Sequence, residues 1–152
     1  MTNYPTKLRR RDLIRWPHLL LRGIWELARA RFGLSTIGPR DIEQLNRAVH
    51  AGAAGFRPAA DKSDAIARVG FIITFVARYL PWRSDCLPQA LAARRWLLGK
   101  GIATEIRIGV ERPEDGDFGA HAWLVHGETV VTGGEIGKFA VLLGETGPKL
   151  RD

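Results

Sequence analysis

Cys86 is the only cysteine in the 152-residue chain, and it stands where a helix should begin. Ser84 and Asp85 before it are both good N-cap residues, and Pro88 fits because first-turn amides have no intrahelical partner. Leu87, Leu91, Trp96 and Leu98 continue a helical apolar stripe, and Gly99 and Gly101 supply the stop. A thiol at a helix N-terminus meets unpaired backbone N–H groups and the positive end of the helix dipole, and both favour the anionic nucleophile. A lone cysteine can equally be a small buried hydrophobe. The second stretch that bears on this choice is Gly119-Ala120-His121-Ala122-Trp123-Leu124-Val125, which puts a histidine on a predicted strand between two small neighbours. A helix-tip thiolate facing such an imidazole can attack a carbonyl carbon, and the imidazolium can then protonate the leaving amine.

The residues around this pair have graded roles. The backbone N–H of Cys86 is the default oxyanion donor, and Gln89, one turn further on, could add a side-chain donor. Trp123 shares the strand face of His121, as a shield against water or simply as a packing aromatic. His126 reads as a turn residue, and His18 and His50 as helix-surface histidines.

A Cys–His pair of this kind usually has a third group that fixes the imidazole tautomer. If His126-Gly127 is a two-residue hairpin turn, Val125 pairs with Glu128 and His121 falls opposite Thr132. Glu128 then lies about 13 Å from the histidine along the strand, beyond hydrogen-bonding reach. Thr132, Glu135 past the Gly133-Gly134 pair, Asp117 in the preceding loop, or a backbone carbonyl remain; Glu135 is favoured because two glycines would let the chain fold back.

Composition narrows the class. The apolar fraction of 45% is ordinary for a globular domain. A single cysteine excludes an internal disulfide and any cysteine-based zinc cluster, which points to a reducing compartment and thus to the cytoplasm; no metal or other cofactor is expected. The net charge of +7 invites acidic peptides, nucleic acid or anionic membrane as partners. Much of that charge lies in the first stretch, where Lys7, Arg9, Arg10, Arg11, Arg15 and Arg22 alternate with Leu, Ile and Trp residues. Arg15, Pro17 and Arg22 interrupt the apolar run, so neither a signal peptide nor a membrane span is supported. Two short amphipathic helices hinged near Pro17 are expected, and residues 1–36 read as a basic helical arm on a domain covering 37–152.

Within that domain, Arg40 to Ala54 is a predicted helix with Ile42, Leu45 and Val49 on one face. Ser63 to Leu80 is a second, apolar all round at Phe71–Val76 and therefore central. After Gly101 the period changes to two. Ile102–Val110 alternates as a strand, Glu111–Gly119 is an acidic loop, and Ala120–Val125 and Glu128–Thr132 form a hairpin. Ile136–Leu143 is a further short element, strand or helix. The sum is an α+β fold, with helices first and a small antiparallel sheet after them.

Helix-borne Cys followed by strand-borne His is the layout of papain-like and transglutaminase-like thiol enzymes. Ser84-x-Cys86-Leu87, Leu98-Gly99-Lys100-Gly101-Ile102, Ile106-x-Ile108-Gly109-Val110 and Ala120-His121-Ala122-Trp123 together resemble the leader peptidases of lasso-peptide clusters, transglutaminase-like B proteins of ribosomal peptide (RiPP) maturation. The likeness covers about Pro81 to Gly134. It implies a cysteine protease with Cys86 as nucleophile and His121 as general base and acid, which removes the leader from a lasso precursor peptide. It also implies a separate leader-recognition protein that delivers the precursor, with the ATP-using lasso cyclase as a further candidate partner and no nucleic acid. Two other function classes stay open: acyl transfer or amidation on the same Cys–His pair, and a non-catalytic basic module that binds nucleic acid or membrane.

Overall fold

Arg10–Gly33 forms one unbroken helix, α1, with Pro17 inside it, where the sequence suggested two helices hinged at that proline. Pro17 is exposed, so its ring projects to solvent, and packing on both sides of it holds the helix together. Trp16 meets Phe71 and Phe75 at ring distances of 6.0 and 6.5 Å, and Leu27 and Ala30 are buried. Three more helices follow: α2 (Pro39–Ala53), α3 (Lys62–Ala77) and α4 (Cys86–Leu98). The computed structural model describes residues 10–33, 38–53, 62–111 and 119–144.

As the apolar run predicted, α3 is central: Ile66, Val69, Ile72, Ile73 and Val76 are all buried. Gly23 of α1 lies so close to it that a Cβ there would stand 3.0 Å from the Ile72 side chain. Helix α1 is also tied to α4. Buried Glu26 lies 3.8 Å from Arg22 and 4.0 Å from Arg95, and the Arg22 guanidinium sits over the Trp96 ring. The basic helix is therefore part of the helical layer from Trp16 onward. In α2 the buried face holds Ile42 and Asn46, one turn apart, while Leu45 is 38% exposed; the polar Asn46 takes the place expected for Leu45.

The sheet has four antiparallel strands, β1 (Glu105–Glu111), β2 (Gly119–His126), β3 (Thr129–Thr132) and β4 (Ala140–Leu143), in the order β3-β2-β1-β4. Four helices followed by this sheet make the α+β fold the sequence indicated. The stop after α4 is made at Gly101, with φ 70, whereas Gly99 stays right-handed helical. Ile106, Leu124 and Val131 join the helical core. Helix α3 reaches β3 through Gly70, where a Cβ would run into the backbone carbonyl of Val131. Among the described residues no helix is long and apolar enough to cross a membrane.

The hairpin differs from expectation by one residue. His126 pairs with Thr129, so the turn is Gly127-Glu128 rather than His126-Gly127. Gly127, with φ 57, takes the first turn position, where a two-residue hairpin needs positive φ. The ladder then slips, with Val125 opposite Val130 and Leu124 opposite Thr132. Val131 is thus the extra residue of a bulge.

Candidate active site

Asp85 is the N-cap residue of α4, with φ −65° and ψ −173°, yet its side chain makes no capping hydrogen bond. It lies 3.5 Å from Arg83 instead, an exposed and weak pair. Pro88 at the third helical position has no N–H to offer a cap. The first-turn donors are therefore the backbone N–H groups of Cys86 and Leu87, and no capping side chain claims them. Cys86 itself is half-buried, with a free thiol. The Gln89 amide donates to the Ser84 carbonyl at 2.7 Å. It thus ties the first turn back to the segment entering the helix, and one of its two N–H donors is already engaged.

His121 lies in β2 opposite Gly109 of β1. Its Nε2 is 2.7 Å from the Gly133 carbonyl oxygen. A carbonyl can only accept, so Nε2 carries the proton and the lone pair of the neutral ring is on Nδ1. Gly133 and Gly134, with φ 114 and 67, turn the chain out of the ladder and bring that carbonyl round to the ring. Phe139 stacks on the imidazole at 4.7 Å and 25°, and Trp123 flanks it at 6.1 Å. Trp123 is itself buried and spreads over Gly109, where a Cβ would come within 2.8 Å of its ring. Two aromatic rings therefore enclose the imidazole. Phe139 was absent from the sequence reading, because a lone Phe in a short apolar element carries no sign that its ring turns to the histidine.

The other candidate orienting groups fall elsewhere. Thr132 opposes Leu124, not His121, because of the shifted turn and the bulge. It is buried on the Leu124 face, and its hydroxyl has no hydrogen-bond partner. Glu135 is exposed, and among the described residues the Gly133 carbonyl is the group that holds the His121 ring. Asp117 lies outside the described residues. His126 donates from Nδ1 to the Ala103 carbonyl at 2.7 Å, so it anchors the segment before β1 and is not a turn residue. His18 is exposed, and the His50 side chain lies outside the described set.

Helix α4 packs against β2, so neighbouring elements bear the thiol and the imidazole, and Leu124 rather than His121 is the β2 residue in the helical core. Alternation along β2 puts His121 and Trp123 on the face opposite Leu124. No hydrogen bond joins Cys86 to His121 in this structure, so the pair is not closed. No group of three His, Cys, Asp or Glu side chains among the described residues is arranged to hold a metal ion.

Polar contacts fix α4 to the sheet. Beyond the end of β4, that edge of β1 has no strand partner, and the Asn46 carboxamide takes the place. It donates to the Ile106 carbonyl at 2.8 Å and accepts from the Ile106 N–H at 3.1 Å. Arg94, two turns after Cys86, donates to the same Asn46 oxygen at 2.9 Å and to the Leu45 carbonyl. Arg94 is 5% exposed, and burial lowers its guanidinium from the ordinary value. An arginine stays charged in any case, so this is a buried cation held by neutral acceptors. It joins residues 48 and 60 positions apart, so no local pattern in the sequence marks it.

A family model described as the transglutaminase-like superfamily matches residues 25–144, most of the chain and all the elements just described except the first part of α1. No curated protein and no solved structure gives a match.

Proposed function

We propose, from the premise that this chain belongs to the transglutaminase-like superfamily, that it is the leader peptidase of a lasso precursor peptide, working with a separate leader-recognition protein. The superfamily commonly carries cysteine protease or acyltransferase activity. The observation that supports thiol chemistry is the Nε2–H bond to Gly133, which reserves Nδ1 of His121 as the basic nitrogen; the lasso precursor as substrate rests on the likeness at Ser84-x-Cys86-Leu87 and Ala120-His121-Ala122-Trp123. In the reaction Nδ1 takes the Cys86 thiol proton as sulfur attacks the scissile carbonyl carbon. The tetrahedral oxyanion accepts from the Cys86 and Leu87 N–H groups at the tip of α4. Collapse of the intermediate breaks the C–N bond, and the imidazolium gives its proton to the leaving amine. Water, deprotonated by the same nitrogen, then hydrolyses the thioester and releases the leader acid. The cycle requires Cys86 Sγ to come within hydrogen-bonding distance of Nδ1, a contact that often tightens only with substrate bound.

Mass spectrometry of a lasso precursor incubated with this protein and its recognition protein tests the reading. Two products whose masses sum to precursor plus water are expected. A leader joined to an added amine, with no free acid, would mark an acyltransferase instead. Cys86→Ala and His121→Ala should each abolish the products, and cleavage by Cys86→Ala at the wild-type rate would overturn the proposal.

A further inference from the structure

The outward face of α1 is apolar where solvent should meet polar side chains. Leu21, Trp25 and Phe32 recur at i, i+4 and i+11 on one side of the helix and are 63%, 61% and 75% exposed. They form a stripe about 16 Å long, from eleven residues at ~1.5 Å each. The opposite side of the same helix already packs on α3 and α4 through Gly23, Leu27 and Ala30, so the stripe is surplus to the core. Its margins are basic. Arg29 and Arg31 are exposed on either side, and the Arg29 guanidinium lies 5.9 Å from the Trp25 ring. The one carboxylate between Trp16 and Gly33, Glu26, is buried and engaged with Arg22 and Arg95. At its C-terminal end the stripe reaches the segment that leads into α4. The Phe32 ring meets Trp82 at 6.3 Å, and Trp82 is four residues before Cys86.

We infer that this stripe docks the leader segment of the peptide substrate next to the cut, as an amphipathic helix with apolar anchors at i, i+4, i+7 and i+11 and acidic residues at its margins. The basic rim selects acidic flanks over basic ones. The Phe32–Trp82 contact sets the docked segment against the chain that enters α4, four residues before the thiol, a link that a membrane or a second copy of the chain would not need. The inference rests on the peptidase reading for the identity of the occupant.

Fluorescence anisotropy with the full chain tests it. The probe is a fluorescein-labelled synthetic peptide with leucines at i, i+4, i+7 and i+11 and glutamates between them; the control replaces each glutamate with lysine. The glutamate probe should bind saturably and at least about tenfold more tightly than the control, and Trp25→Glu and Phe32→Glu should each weaken it about tenfold or more. Both positions are exposed, so circular dichroism should show unchanged thermal unfolding. Equal binding by wild type and both variants would overturn the inference. So would sedimentation with phosphatidylglycerol–phosphatidylcholine vesicles, or a dimer in sedimentation velocity, that the same substitutions abolish. Cys86→Ala separates the two readings. If it binds the probe like wild type while wild type cleaves no precursor, docking stands and the peptidase reading falls. If wild type cleaves but Trp25→Glu leaves probe affinity untouched, the docking inference alone falls.

Discussion

The His121 imidazole and the Gly133 carbonyl, twelve residues apart, meet at 2.7 Å. This contact fixes which nitrogen holds the proton, and it depends on a glycine conformation. At φ 114 Gly133 is in a region that L side chains rarely adopt, and a Cβ there would run into the Trp123 Cβ. Neutral His121 should therefore be the Nε2–H tautomer, visible in nitrogen-15 NMR as a pyrrole-type Nε2 and a pyridine-type Nδ1. Gly133→Ala should lose that signature and destabilise the chain by about 2 kcal/mol or more. An Nδ1–H tautomer in the wild-type protein would remove the base from the proposed mechanism.

With a main-chain carbonyl on Nε2, no side chain is needed for that role. Glu135→Ala and Thr132→Val should therefore keep cleavage within about twofold of wild type, well inside the tenfold that 1.4 kcal/mol represents. Steady-state rates on one precursor decide it. A loss above tenfold in Glu135→Ala alone would return the role to the carboxylate favoured from sequence.

Asn46 serves two partners, closing the open edge of β1 at Ile106 and accepting from the buried Arg94 guanidinium. Removing the carboxamide leaves a buried cation and backbone groups underpaired, so Asn46→Ala should cost about 3 kcal/mol in urea unfolding. Arg94→Met removes the charge that makes the loss severe. The double variant should therefore be less destabilised than the sum of the singles, with a coupling of about 1 kcal/mol or more. Strict additivity would mean that the two residues do not share one network.

Local rules carried the sequence reading where local physics decides the outcome. The start of α4 follows from Ser84-Asp85-Cys86 and Pro88, the central place of α3 from its apolar run, and the strands from the change of period after Gly101. They failed where a long-range contact overrides a local signal. Packing of Trp16 on α3 carries α1 straight through Pro17. Closure of β1 at Ile106 buries Asn46 in preference to the more apolar Leu45. A one-residue shift of the turn to Gly127-Glu128, with the Val131 bulge, moves Thr132 away from His121. A period-two ladder transmits such a slip to every later residue. The carbonyl that holds His121 carries no side-chain signature at all, and only the paired glycines hinted at a chain reversal there.

The mechanism needs one contact that this structure leaves open. Cys86 and His121 sit on elements that pack together, α4 and β2, but share no hydrogen bond. A bifunctional alkylating reagent reports on their approach in solution. With 1,3-dibromoacetone, the Cys86 thiolate displaces one bromide, and a nitrogen lone pair within reach of the three-carbon tether displaces the other. Because Gly133 occupies Nε2–H, the second bond should form at Nδ1 of His121. Tandem mass spectrometry of a proteolytic digest should then show the Cys86 and His121 peptides joined, and the cross-link should vanish in His121→Ala while simple alkylation of Cys86 persists. Prior saturation with an uncleavable precursor variant should suppress the bridge, since the scissile segment would lie between sulfur and ring. Singly alkylated Cys86 with no link to His121, across a time course that exhausts the thiol, would show that the two side chains do not meet, and the thiol-protease mechanism would have to be abandoned.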